Sequence, residues 1–91
     1  MPITVHLPTV LAPLAAGRRV LEARGATLGE AVADLAGRYP ELAPRLQDGE
    51  GNPYPFVNFY LNDEDARFRG GFEAAVRDGD EVTIVPAIAG G

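Results

Sequence analysis

The last two residues of the sequence are Gly90 and Gly91, and a terminal carboxylate reached through two residues without a Cβ is a group on which chemistry can be done. Such a backbone threads a narrow channel and leaves the carboxylate open to attack from most directions. The stretch from Pro86 through Ala87, Ile88 and Ala89 to Gly91 spans at most about 20 Å at about 3.3 Å per residue. That is enough to enter the active site of another protein. A small, frayed chain end would carry the same two glycines. Three features stand against that blander reading: the tail follows directly on a strand of buried character, it contains Ala87 and Ile88, and it has no charged residue after Glu81.

Other reactive residue types are scarce. The sequence has no cysteine, which removes disulfides, thiolate metal sites and a cysteine nucleophile together, so any sulfur chemistry must use sulfur brought from outside. His6 is the single histidine and reads as a solvent-facing strand residue. The acidic run Asn62-Asp63-Glu64-Asp65 lacks the alternating oxygen ligands and the distant glutamate of a calcium loop, and reads as a turn. No metal site is expected. All 8 basic residues are arginine, so self-conjugation through an isopeptide is limited to the amino terminus, although the composition bias of a GC-rich genome accounts for the same absence of lysine. With 13 acidic residues and a net charge of −5, the chain lacks the concentrated positive face that nucleic acid requires. No signal peptide and no membrane-spanning run is read, which makes the cytoplasm the expected location.

The elements that must present the carboxylate fit one domain. A chain of 91 residues, 46% hydrophobic and 23% charged, supports a single compact core and not wholesale disorder. Residues 3–7 alternate, with Ile3, Val5 and Leu7 inward and Thr4 and His6 outward. After breaks at Pro8, Pro13 and Gly17, residues 19–23 pair back as a second strand. Thr27-Leu28-Gly29-Glu30 predicts a capping box in which the Thr27 hydroxyl accepts from Glu30 N–H and the Glu30 carboxylate returns to Thr27 N–H. The helix it opens buries Leu28, Ala31, Val32, Leu35 and Tyr39 and closes near Tyr39, because Pro40 disfavours helical conformation there. Leu42, Pro44 and Leu46 predict a further short turn.

Residues 48–55 read as a loop. Residues 56–62 form the strongest strand, with Val57, Phe59 and Leu61 toward the core and Phe56, Asn58 and Tyr60 on a face that suits partner binding better than bare solvent. Ala66-Arg67-Phe68 is expected as a short strand. The turn Asp78-Gly79-Asp80 leads into the last strand, with Val82 and Ile84 inward and Thr83 and Val85 outward, and Pro86, lacking an N–H, ends its ladder. The order predicts an α+β fold: a mixed sheet of four to five strands packed on one main helix, with the first and last strands as central neighbours. Residues 1–85 form the domain and 86–91 a flexible, extended tail.

With these residues in place the chain resembles the β-grasp sulfur-carrier family, relatives of ubiquitin that include the small subunit of molybdopterin synthase and the thiamine-pathway sulfur carrier. The resemblance covers nearly the whole chain. It is carried by Thr27-Leu28, Val57-Asn58, Asp78-Gly79-Asp80-Glu81-Val82 and the run from Ile84 to Gly91. Phe56-Val57-Asn58, residues 61–68 and the ending Pro86-Ala87-Ile88-Ala89-Gly90-Gly91 look most like carriers that supply sulfur to a PLP-dependent cysteine synthase. A second proline is frequent in molybdopterin-type carriers where this chain has Ala87.

The resemblance implies a cycle in which an ATP-dependent E1-like activating enzyme adenylates Gly91 and sulfur transfer converts the carboxylate to a thiocarboxylate. That sulfur adds to a PLP-bound aminoacrylate, the adduct rearranges to a peptide bond, and a zinc metalloprotease releases cysteine. It further implies that the chain binds no cofactor and is a protein co-substrate, not an enzyme. Gly91 and Gly90 are then the reacting terminus, Pro86, Ala87, Ile88 and Ala89 the guiding arm, and Phe56, Tyr60 and Val85 partner contacts. Three other roles share these features: a molybdopterin synthase small subunit, a modifier that forms isopeptides with target lysines, and an interaction module with an inert tail. If the terminus is activated, Gly91→Ala lowers thiocarboxylate yield while leaving the fold intact, because the added methyl meets the channel that admits the tail; equal yield on terminal mass analysis would refute it.

Overall fold

The structure, a computed structural model, describes residues 2–47 and 57–86. The predicted loop at 48–55, Phe56, and Ala87 to Gly91 lie outside the described residues. Alternation of β-branched and polar residues produces the first strand, β1 (Ile3–His6), whose Ile3 and Val5 are buried. β2 (Val20–Ala23) pairs antiparallel with it, Ile3 opposite Ala23 and His6 opposite Val20. Between them Pro13 falls in the first turn of a short 3₁₀ helix, Ala12–Ala15, a place where its missing N–H is not needed.

Thr27 caps the main helix, α1 (Leu28–Arg38), its hydroxyl accepting from Glu30 N–H at 3.2 Å. The Glu30 carboxylate returns one residue earlier than expected, to Ala26 N–H at 2.8 Å. This extends the cap into the connection that precedes the helix. Leu28, Ala31, Val32 and Leu35 are buried, Tyr39 is partly so, and Tyr39 closes the helix ahead of Pro40. A single turn, α2 (Ala43–Leu46), follows, and Leu42 and Leu46 are fully buried.

β3 (Val57–Leu61) turns Val57, Phe59 and Leu61 into the core. The expected strand at residues 66–68 is not there. Asn62 and Asp63 both take positive φ, 50° and 70°, which makes a two-residue hairpin turn that matches the right-handed twist of its strands. The chain therefore pairs back at once as β4 (Glu64–Asp65), Leu61 opposite Glu64 and Tyr60 opposite Asp65. Asp65 then accepts from Arg67 N–H at 2.9 Å and turns Ala66–Arg69 into a 3₁₀ helix.

The last strand, β5 (Glu81–Pro86), lies between β1, which it joins in parallel, and β3, which it joins antiparallel. The sheet order is β2-β1-β5-β3-β4. One face of this mixed sheet carries Ile3, Val5, Leu21, Ala23, Val57, Phe59, Leu61, Val82 and Ile84 into a single core with the apolar stripe of α1. The segment before β5 contributes more than a connection. Leu28 N–H donates to Ala74 O at 2.9 Å, Val76 N–H donates to Ala26 O at 3.0 Å, and Phe72 meets Phe59 edge-on at 5.2 Å. Gly29 makes room for it: a Cβ there would lie 3.1 Å from Phe72.

Two helix-region glycines separate close approach from simple vacancy. A Cβ on Gly25 would sit 2.7 Å from Ala31 N, whereas one on Gly37 would meet nothing within 4 Å. In thermal or denaturant unfolding, Gly25→Ala should destabilise by roughly 1–3 kcal/mol through overpacking, and Gly37→Ala should stabilise by about 0.5–1 kcal/mol. Equal shifts for the two variants would contradict the packing described.

Candidate functional site

The feature that positions any chemistry at the terminus is the way β5 is held. Thr4 N–H donates to Asp80 O at 3.0 Å, and Asn62 N–H donates to Glu81 O at 2.8 Å. Alternation along the strand then turns the backbone groups of Glu81, Thr83 and Val85 toward β3 and those of Val82, Ile84 and residue 86 toward β1. β1 pairs only as far as Thr83, while β3 continues to pair Ile84, Val85 and Pro86. Pro86 is therefore still the last residue of the strand, opposite Val57. Its missing N–H falls on the side where the neighbouring strand has already stopped. The strand is clamped on both sides at its base and on one side at its tip.

The base is fixed by a polar network. Asp80 accepts from Arg77 N–H at 2.8 Å and from the Asn62 amide at 3.1 Å, and Asn62 Oδ1 accepts from Glu81 N–H at 2.9 Å. The Arg77 N–H, then the Asn62 amide, and the nearby Arg77 and Arg69 charges hold the Asp80 carboxyl below its ordinary pKa. Asp65 is also lowered, chiefly by the Arg67 guanidinium, which reaches its Oδ2 at 2.7 Å, and further by Arg67 N–H.

The sheet face away from α1 carries the second group of site candidates. Registers align Asp65, Tyr60, Thr83, His6 and Val20 in one row across all five strands. Asn58 and Val85 make the adjacent pair on the tail side. Tyr60 is half-buried and Val85 is 37% exposed, so both face outward as expected. Val20, 56% exposed, ends the row at the far edge, beyond Thr83 and His6. His6 Nε2 lies 2.7 Å from Glu81 Oε1, beside a hollow of about 430 Å³ lined by His6, Asn62, Asp63, Glu81 and Thr83. These side chains are all polar, unlike the mostly apolar lining of a small-molecule site.

The structure thus brings Tyr60 and Val85 to one end of one surface, and Pro86 is the last residue of the strand that carries Val85. Phe56, Ala87, Ile88, Ala89, Gly90 and Gly91 lie outside the described residues. No local motif links Thr83, His6 and Val20 to Tyr60. Their period-two alternation was legible, but the row exists only once strand order and register are fixed. Among the described residues, no three His, Cys, Asp or Glu side chains gather as a metal site, and no helix is long and apolar enough to cross a membrane.

The family model of the ThiS family matches residues 5–91. The chain is 47% identical, over a 93-residue alignment that covers all of both proteins, to the sulfur carrier protein CysO of Mycobacterium tuberculosis. A chain in the crystal structure of the Amycolatopsis orientalis BexX/CysO complex superposes with a TM-score of 0.88 at 46% identity, covering 98% of this chain and 99% of that one. SAMP1 of Haloferax volcanii superposes with a TM-score of 0.83 at 30% identity, with all of both chains covered. The fold is the ubiquitin-like β-grasp.

The exposure of Tyr60 and Val85 allows binding to be tested apart from folding. Tyr60→Ala or Val85→Ala should weaken capture by a partner enzyme about tenfold, the scale of a modest interface residue, while shifting the melting temperature by less than an inward substitution such as Ile84→Ala. Calorimetric titration and thermal unfolding read the two effects; a large stability loss with unchanged affinity would reverse the assignment of faces.

Proposed function

This chain belongs to the ThiS family, and on that premise we propose that it is a sulfur carrier whose C-terminal Gly91 becomes a thiocarboxylate and supplies sulfur for cysteine biosynthesis. The observation that carries this reading is the 47% identity with CysO along the full length of both proteins. The ending Pro86-Ala87-Ile88-Ala89-Gly90-Gly91 supplies the arm that such chemistry needs.

The cycle balances without a catalytic acid or base from this chain. A Gly91 carboxylate oxygen attacks the α-phosphorus of ATP on an E1-like activating enzyme, and pyrophosphate leaves. A sulfide-level nucleophile adds to the acyl carbon, and AMP departs with the activated oxygen. Gly91 then keeps one oxygen and gains one sulfur. On a PLP-dependent cysteine synthase that sulfur attacks the electrophilic β-carbon of a three-carbon amino-acid acceptor. The acceptor's amine then takes the acyl group from sulfur to nitrogen, which leaves a free thiol and a peptide bond. Hydrolysis by a zinc metalloprotease returns the carboxylate and releases cysteine. The carrier is a co-substrate in this cycle and binds no cofactor of its own. ATP and PLP belong to its partners, and the cytoplasm, where those partners work, is its place. Residues 1–85 dock through the face of Tyr60 and Val85, with Phe56 added, while Pro86 to Ala89 guide Gly90 and Gly91 into each active site.

The likeness to SAMP1, a small archaeal modifier protein, supports a second reading in which the activated terminus acylates lysines of target proteins. Intact mass of the protein purified from its own host, with fragmentation of its terminus, tests both. Sulfur-for-oxygen exchange at Gly91, or a terminal cysteine adduct, is the expected result. An unmodified carboxylate after incubation with ATP, host extract and sulfide would overturn the sulfur-carrier reading, and higher-mass conjugates that survive reductant and denaturant would favour the modifier.

A further inference from the structure

β2 is an outer strand of the sheet, and its free edge meets two side chains of α1. Leu7 N–H donates to Arg19 O at 2.8 Å, which turns the backbone groups of Arg19, Leu21 and Ala23 toward β1 and those of Val20, Glu22 and Arg24 outward. Two of the outward groups are taken. Arg24 N–H donates to Asp34 Oδ2 at 3.0 Å, and Glu22 O accepts from the Arg38 guanidinium. Arg38 also donates to Asp34 Oδ2 at 2.9 Å, one helical turn away. Arg38, Asp34 and the two backbone groups form a closed circuit that spans the groove between β2 and α1, a hollow of about 280 Å³ lined by Pro2, Glu22, Arg24, Asp34 and Arg38.

These are the groups that an added strand would use. A parallel strand places one residue so that its N–H meets Glu22 O and its C=O meets Arg24 N–H. The guanidinium and carboxylate stand in for that donor and acceptor. An antiparallel strand would pair one residue with both Glu22 N–H and Glu22 O, and this carbonyl is already occupied. The opposite edge has its own protection: β4 is two residues long and passes straight into a 3₁₀ helix. β2, four residues long with Val20 56% exposed beside it, is the edge at risk. An exposed ion pair at this helical spacing adds little stability, so stability does not explain why both side chains turn inward onto the strand.

We propose that Asp34 and Arg38 act as a side-chain cap that closes the β2 edge and prevents strand addition by a second copy of this chain. The cap leaves the sheet face and the C-terminal arm as the surfaces through which the protein meets its partners, and the inference does not depend on which group the terminus carries. Sedimentation velocity over a concentration series, with amide exchange read by NMR, tests it. The wild type should remain monomeric with a protected Arg24 amide. In Asp34→Ala that amide should exchange about tenfold faster, on the scale of losing one hydrogen bond to a charged acceptor. The Asp34→Ala, Arg38→Ala double variant should show concentration-dependent dimerisation, and Asp34→Asn, which keeps an acceptor oxygen, should remain monomeric. If the double variant fails to fold, Arg38→Gln alone should self-associate at high concentration. Folded variants that stay monomeric at every concentration, or an Arg24 amide unchanged by Asp34→Ala, would overturn the proposal and leave a purely structural bond.

Discussion

The parallel pairing of β1 with β5 is the constraint on which the rest depends. Parallel neighbours need a long crossover between them, and almost the entire chain between His6 and Glu81 serves as that crossover. β2, α1 and β3 fill it, so the last strand is laid into the middle of a sheet that the other strands have already flanked. Val82 and Ile84 are almost fully buried there, in contact with the core of α1. A terminal strand at a sheet edge would fray readily. This one is held by β3 along its length and by β1 as far as Thr83.

The two faces of the sheet divide the work. The described inner-face residues of β1, β2, β3 and β5 are apolar and join α1 in one core. The outer face mixes Tyr60, Val85 and Val20 with Thr83, His6 and Asn58, a composition closer to a protein interface than to a bare solvated sheet. Acidic groups on and beside it are mostly engaged: Asp65 by Arg67, Glu81 by His6, Asp80 before β5 by Arg77 N–H and Asn62, and Glu64 at the β4 edge by Arg69. These carboxylates are thus already satisfied within the domain, which lowers the cost of covering this face with another protein.

Much of this was legible in the residues. Period-two alternation placed Ile3, Val5, Val57, Phe59, Leu61, Val82 and Ile84 inward, and Thr27 with Pro40 bounded the helix. The failures came where one residue's geometry outweighed a local pattern. Nothing in Asn62-Asp63 demands positive φ at both positions, so local pattern points to a strand at 66–68 where the hairpin forms β4 two residues sooner. Glu30 reached past Thr27 to Ala26 because the connection before the helix lies close against it. The anchoring of residues 72–76 against the helix start rests on long-range contacts that no short window records. Gly90 and Gly91 stand out by residue type and place in the sequence, and they lie outside the described residues.

The graded hold on β5 makes the strand a tether of adjustable length with a built-in stop. Val85 points outward, and residues 85 and 86 are paired only on their β3 side, so the last two rungs can part from β3 before Ile84 is disturbed. That lengthens the arm by about 7 Å at about 3.3 Å per residue. The next residue inward is Ile84, 2% exposed, and its release would open the core. Slack ends there, so a partner that pulls on the arm gains reach up to Ile84 and meets the full cooperativity of the domain beyond it.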